Sequence, residues 1–308
     1  MRTALLETLL GLAAVDERVV LITGDLGWSV VEPFAERFPE RFLNVGVAEA
    51  NGAGIAAGLG QLGFVPFLYS IASFSSMRCY EQVRNGAILH GLPVRIVGIG
   101  GGFAYGHAGA THYALEDVAM MRAQAGITVL VPADPAQTRA IVRATMDLSG
   151  PAYLRVGKGG NPEVPGLGGR FAPGRPEVVR PGREVLLLAA GPIVHEALAA
   201  AERLSGSGGQ PTVAVLAHLG LEASSSLVDL LAAHRYVVTV EDAYSTGGLA
   251  SLVAEAIAGH GLPCRLLVRG VRAPLSGASG SEGFMRASHG LDAAALAEAT
   301  RAWLEGQA

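Results

Sequence analysis

Residues 44–60, NVGVAEANGAGIAAGLG, place one carboxylate, Glu49, at the head of a run that carries no further charge until Arg78. A carboxylate in apolar surroundings has a raised pKa and can share a proton with a basic nitrogen. Read locally, Glu49 is also an ordinary first-turn acid, favoured by the helix dipole by about 0.3–1 kcal/mol. The glycines at 46, 52, 54 and 58 allow other backbone to approach closely. A second stretch, VGIGGGFAYGHAGATHYALEDVAMMR (97–122), puts six glycines between positions 98 and 109 and ends its loop with His112. His107 and His112 read either as surface loop histidines or as acid–base groups delivered to a ligand at the end of a strand. This loop holds neither a G-x-x-x-x-G-K-[ST] nor a well-placed G-x-G-x-x-G, which argues against nucleotide phosphates. In SFSSMRCYEQVRN (73–85), Arg78, Glu81 and Arg84 are spaced for an ion-pair network on one helix face, and Phe74 reads as core.

The elements that must position these groups follow from hydrophobic periodicity. Short apolar runs at 19–25, 63–70, 93–100, 127–134 and 152–156 alternate with helical patterns near 48–60, 74–90, 114–125 and 135–147. Unbroken apolar strands alternating with helices imply a mostly parallel sheet covered on both faces. Ligands in such sheets bind beyond the carboxyl ends of the strands. A Gly/Pro-rich stretch follows, and a second βα series then begins at 184 and closes with an amphipathic helix. The expected fold is therefore α/β with two domains, each a mostly parallel sheet flanked by helices. Residues 1–165 form the first domain, 166–182 a linker, and 183–308 the second.

Composition narrows the function classes. Of 308 residues, 50% are hydrophobic and 16% charged, with a net charge of −4, which excludes a disordered chain and lacks the basic excess of a nucleic-acid binder. The N-terminus has no signal-peptide layout. Glycines, Asn51, Gln61, Pro66 and serines interrupt the uncharged run, so it is expected to fold as helix, turn and buried strand rather than to span a membrane. Cys79 and Cys264 are expected to be buried, reduced thiols in a soluble cytoplasmic chain.

Taken in order, GDLGWS, FPERFLNVGVAEANGAGIAAGLG, YEQVRN, GATHYALEDVAMMR, VLVPADPAQT and PAYLRVGK resemble the pyrimidine-binding domain of the transketolase family. The later AAGPIVHEALAAAERL and VVTVEDAYSTGGLASLVAE resemble its C-terminal domain. No counterpart of the family's diphosphate-binding domain or of its G-D-G…N motif is found. The resemblance is therefore to the C-terminal subunit of a split transketolase. It implies thiamine diphosphate as cofactor, with Mg²⁺ held mainly by a partner N-terminal subunit. It also implies a heterotetramer of two plus two chains and transfer of a two-carbon ketol unit from a ketose to an aldehyde. By the same resemblance, Glu49 contacts the cofactor's aminopyrimidine, Phe74 packs on that ring, and His112 faces the substrate. Arg2, Ser29 and Arg155 match the family's grip on sugar phosphate. Gly100 and Ala108 depart from it, standing where the family has a histidine and an acid. These departures suggest altered substrates, with His107 taking over part of the recognition. The β subunit of a 2-oxo acid dehydrogenase shares the fold and the glutamate but has H-S-Q where this chain has THYALEDVAMMR. A 1-deoxyxylulose 5-phosphate synthase, normally one continuous chain, and a non-catalytic regulatory half are the remaining alternatives.

Overall fold

The computed structural model describes residues 1–206 and 209–307. Strands β1 (Val19–Thr23), β2 (Phe42–Asn44), β3 (Val65–Ile71), β4 (Arg95–Ile99), β5 (Thr128–Leu130) and β6 (Ala152–Val156) form one sheet in the order β2-β1-β3-β4-β6-β5. Every pairing in it is parallel. β1, β4 and β6 are buried at every position. Their alternating side chains feed two different cores. Val19 and Leu21 pack with Leu5, Leu9 and Ile141 on one face. Val20 and Ile22 pack with Ala53, Ala56 and Val83 on the other. That two-sided burial is why these strands read as continuous apolar runs rather than alternating ones.

The second sheet contains β7 (Glu177–Arg180), β8 (Val185–Ala190), β9 (Thr212–Val215), β10 (Tyr236–Tyr244) and β11 (Arg265–Val271), in the order β11-β10-β8-β9-β7. All its pairings are parallel except that of β7, which runs antiparallel to β9 at the edge. The molecule is thus α/β with two largely parallel sheets. Backbone hydrogen bonds join the two units directly. The amide of Val131 donates to the Ala217 carbonyl at 2.7 Å, and that of Leu219 donates to the Val129 carbonyl at 3.0 Å.

Three segments differ from the sequence expectation. Residues 166–182 are not all linker, because Glu177–Arg180 supplies β7, with Glu177 held by Arg170 at 3.0 Å. Only four residues long and set among Pro and Gly, this edge strand carries no readable period. The short β2 is likewise unmarked by periodicity. Residues 74–90, expected as one regular helix, wind instead as π turns Phe74–Arg78 and Val83–Ile88 around a single α turn, Tyr80–Gln82. Within the first π turn, the Ser76 hydroxyl and the Cys79 thiol donate to the carbonyls of Ala72 and Ser75, at 2.6 and 2.8 Å. Side-chain donors of this kind compete with the helical ladder, and such wide turns concentrate at functional sites.

Cys79 and Cys264 are free and buried. Among the described residues, no helix is long and apolar enough to cross a membrane.

Glu241 makes stability depend on pH. Its carboxylate accepts the amides of Leu249 and Ala250, both at 2.9 Å, at the start of the helix Leu249–His260. Burial pushes its pKa up from 4.5 to about 7, and the two amides offset only part of that rise. An acid with a raised folded-state pKa is stabilised in its protonated form, so stability falls as pH rises from about 4.5 to about 7 and then levels off. Glu241→Gln removes this titration. Thermal unfolding followed between pH 5 and 8 is expected to show the melting temperature of the variant gaining on that of the native chain as pH increases. A difference between the two that stays constant across that range refutes the assignment.

Candidate active site

Glu49 opens the helix Glu49–Gln61, and its side chain lies between that helix and β3. It is 3% exposed. The Ser70 hydroxyl donates to Oε1 at 3.0 Å and the Arg78 guanidinium to Oε2 at 3.1 Å. Gly24, just beyond β1, brings backbone against it, since a Cβ there would lie 3.3 Å from Oε1. The setting is therefore close-packed but not wholly apolar. Helical spacing pairs Arg78 with Glu81 along one face. The π turn swings it instead toward Glu49, where it also lies 3.6 Å above the centre of the Phe74 ring. Phe74 is thus half-buried beneath a cation rather than sealed in the core. Of the four glycines noted near Glu49, Gly52 meets Leu68 closely, whereas Gly54 and Gly58 face open space.

From Phe74 a line of rings continues outward. His112 lies 5.2 Å from Phe74 and Tyr105 lies 6.4 Å from His112, centre to centre. The His112 Nδ1 is 2.9 Å from the Thr111 hydroxyl. Lys158 caps the Tyr105 ring with Nζ 4.4 Å from its centre. Arg2, half-buried in the first helix, acts through its charge on the hydroxyls of both Tyr69 and Tyr105 and opposes the rise in their pKa values that burial causes. Gly27, two residues before Ser29, lies against Tyr69. Glu49, Phe74, His112 and Arg2 are therefore gathered at the carboxyl ends of β1, β3 and β4. Ser29 stands exposed in a left-handed conformation (φ 64°), its amide donating to Glu32 at 2.7 Å. His107 is exposed on the turn Gly106–Ala108, outside this line of contacts.

Arg155, expected as a phosphate ligand, makes several internal contacts. It is 5% exposed. Nε donates to Asp117 at 2.8 Å, and Nη2 donates to the carbonyls of Ala114 and Asp242 at 2.7 and 2.8 Å. Burial acts to lower its pKa, but the charges of Asp117 and Asp242 outweigh that and hold it above normal. With Nε and Nη2 engaged and the group buried, Arg155 ties the loop to both sheets.

The loop is also fastened to the second domain. The Gly280 amide donates to the Gly106 carbonyl at 3.2 Å, Phe103 stacks on His289 at 4.9 Å, and the Tyr113 hydroxyl donates to the Ala278 carbonyl. Four residues that the sequence reading did not name as site residues, Ser70, Tyr105, Asp117 and Lys158, connect the parts of the site. Ser70 lies within β3, Tyr105 in the glycine loop, Asp117 at the start of the helix Asp117–Arg122, and Lys158 just beyond β6.

Such an arrangement offers a buried carboxylate, an aromatic platform and a nearby imidazole in one line of contacts. The chain belongs to the transketolase family, matching the models of the transketolase pyrimidine-binding domain over residues 1–162 and the transketolase C-terminal domain over 174–296. It is 32% identical over 280 residues to an apulose-4-phosphate transketolase subunit of Actinobacillus succinogenes, covering 91% of this chain and 90% of that one. It is 35% identical to 6-deoxy-6-sulfo-D-fructose transketolase subunit SqwH of a Clostridium species, covering 97% of this chain and 92% of that one. A solved structure described as a split gene transketolase, inactive beta4 tetramer, superposes with a TM-score of 0.87 at 35% identity, covering 97% of this chain and 96% of the other.

The Arg155–Asp117 pair predicts a large stability effect. Asp117→Asn leaves the buried guanidinium without the carboxylate its Nε donates to, with Asp242 the remaining counter-charge. It also weakens the bond from the Tyr153 hydroxyl, now 2.7 Å from Asp117. Breaking such a pair costs about 3–5 kcal/mol. Denaturant unfolding of the variant against the native chain measures it, and a loss below about 1 kcal/mol contradicts a structural role for the pair.

Proposed function

We propose that this chain is one subunit of a split, thiamine-diphosphate-dependent transketolase, transferring a two-carbon ketol unit from a ketose to an aldehyde. The observation that carries the reading is the guanidinium of Arg78. A planar group bearing N–H donors already fits between the Phe74 ring, at 3.6 Å, and the Glu49 carboxylate, at 3.1 Å. An aminopyrimidine is equally flat and carries an amino N–H donor beside ring nitrogens that accept, so it can share a proton with that carboxylate. Arg78 is 44% exposed in its side chain and is free to swing out and yield that place.

When bound, thiamine diphosphate supplies a nucleophilic thiazolium carbon, activated by its own aminopyrimidine. The task of Glu49 is to hold a proton at a ring nitrogen of that aminopyrimidine, general acid–base work suited to a desolvated carboxylate. Ser70 orients Glu49 through Oε1. His112, beyond Phe74, is in position to move protons at a substrate hydroxyl or carbonyl. The ring line Phe74–His112–Tyr105 lays out the direction in which a substrate would extend.

The diphosphate and Mg²⁺ would be held mainly by an N-terminal partner subunit, giving a heterotetramer of two plus two chains. Two features support self-association and the need for a partner. Gly54 and Gly58 leave the outer face of the Glu49 helix open to a close neighbour, and the similar solved structure is a tetramer of β chains titled inactive.

The reading is tested by assembling the chain with its N-terminal partner, thiamine diphosphate and Mg²⁺ and assaying ketol transfer. Glu49→Ala is expected to lower kcat by about 10²–10⁴-fold. Activity unchanged by that substitution overturns the catalytic assignment of Glu49.

A further inference from the structure

A cavity of about 110 Å³ lies at the outer edge of the first sheet and shares no residue with the site around Glu49. Leu130 of β5 forms one wall, and Ala144 and Leu148, around the end of the helix Pro135–Ala144, form another. Phe171 and Pro173 close it from the Gly/Pro-rich connection, and His218 closes it from the second domain. The carbonyls of Thr145 and Leu148 are already taken by buried Arg95, the first residue of β4, at 2.6 and 2.7 Å. The cavity therefore sits toward the amino ends of the strands, opposite the end that carries Glu49, and its walls are mainly apolar.

His218 is the exception. It stands on the seam between the domains, paired with Leu130 and flanked by the bonds from Val131 to Ala217 and from Leu219 to Val129. Its Nδ1 is buried and has no hydrogen-bond partner among the described residues. A Cβ on Gly174 would lie 3.9 Å from Nδ1, and one on Gly220 would lie 3.8 Å from Nε2. Nδ1 thus faces the connection that carries Phe171 and Pro173. Burial lowers the pKa of the ring, which keeps the imidazole neutral near neutral pH. Buried polar atoms are generally bonded, so an orphan of this kind marks a place for a partner. A water would need about two to four polar neighbours, which these walls do not offer.

We propose that this cavity is a binding site for a small planar aromatic molecule bearing one hydroxyl, with phenol as its simplest member. Volume sets the ring. An apolar cavity of roughly 150 Å³ takes up benzene, and this one, flanked by the exposed Pro173, has room for a single ring. The neutral imidazole sets the substituent, because Nδ1 donates in one tautomer and accepts in the other, and a hydroxyl answers both. Phe171 supplies an aromatic wall for the ring to meet face or edge. A molecule seated here touches the edge strand, the connection and the second domain at once, so its binding stabilises their junction. The site is independent of the proposed ketol transfer.

Calorimetric titration of the full chain with phenol and with benzene tests it. The native chain is expected to bind both saturably, one to one. Ala144→Leu, which fills the cavity, is expected to abolish both. His218→Leu is expected to raise the Kd of phenol about 3- to 10-fold, as loss of one hydrogen bond does, and to leave that of benzene within about twofold. Retained benzene binding shows that this variant still folds. Without any substitution, the Nδ1 resonance of His218 is expected to shift on addition of phenol and to stay nearly still with benzene. Three results overturn the proposal: no saturable binding by the native chain, binding that survives Ala144→Leu, or a preference for phenol over benzene that His218→Leu leaves unchanged. So does an Nδ1 resonance that phenol does not move.

Discussion

One guanidinium holds the working parts in register. Arg155 leaves the end of β6 beneath the glycine loop, pairs with Asp117 at the start of the next helix, and donates to the Asp242 carbonyl in the second sheet. Three segments far apart in sequence thus share a single buried cation, and the loop carrying His112 runs directly into one of its attachments, the Ala114 carbonyl. An ion pair at this depth adds little net stability against an apolar replacement, yet it fixes geometry because any other arrangement strands a charge. Tyr153 and the backbone around Ala114 follow from the same constraint.

Around that anchor, the chemistry is arranged along a gradient of burial. Glu49 is at the dry end, shielded by Ser70 and by the close backbone of Gly24. The rings of Phe74, His112 and Tyr105 lead outward to the exposed Lys158. For the proposed function, proton sharing at Glu49 calls for a low dielectric, and its burial supplies one.

Much of this was legible in the sequence. The parallel strands announced themselves because burial on both faces removes alternation, and β6 has the bounds its apolar run marks. Glu49, Phe74 and His112 stand out through the order and spacing of motifs, and the structure brings them together. The edge strand β7 escapes a local reading because its ladder partner lies about thirty-five residues away, a distance local patterns do not register. Pairing Arg78 with Glu81 by helical spacing assumes 3.6 residues per turn, a rule that fails where the helix widens. Nothing local in the sequence reveals that Asp117, thirty-eight residues before Arg155 in the chain, meets it. Tyr105 is inconspicuous since a phenol between glycines has no motif of its own.

The glycines at 100, 101 and 102 also bear on how this loop can vary. A Cβ on each would strike a different side chain: Tyr105, Arg155 and Asp242 in turn. Each bare position is the negative imprint of a residue elsewhere, one in the same loop, one in the neighbouring strand and one in the other domain. The loop is consequently not a free variable in redesign. Only at Gly101 could a smaller partner make room for a side chain. At Gly100 and Gly102 the left-handed backbone strains any side chain whatever the space, and the Asp242 carbonyl itself would lie 2.7 Å from a Cβ at 102.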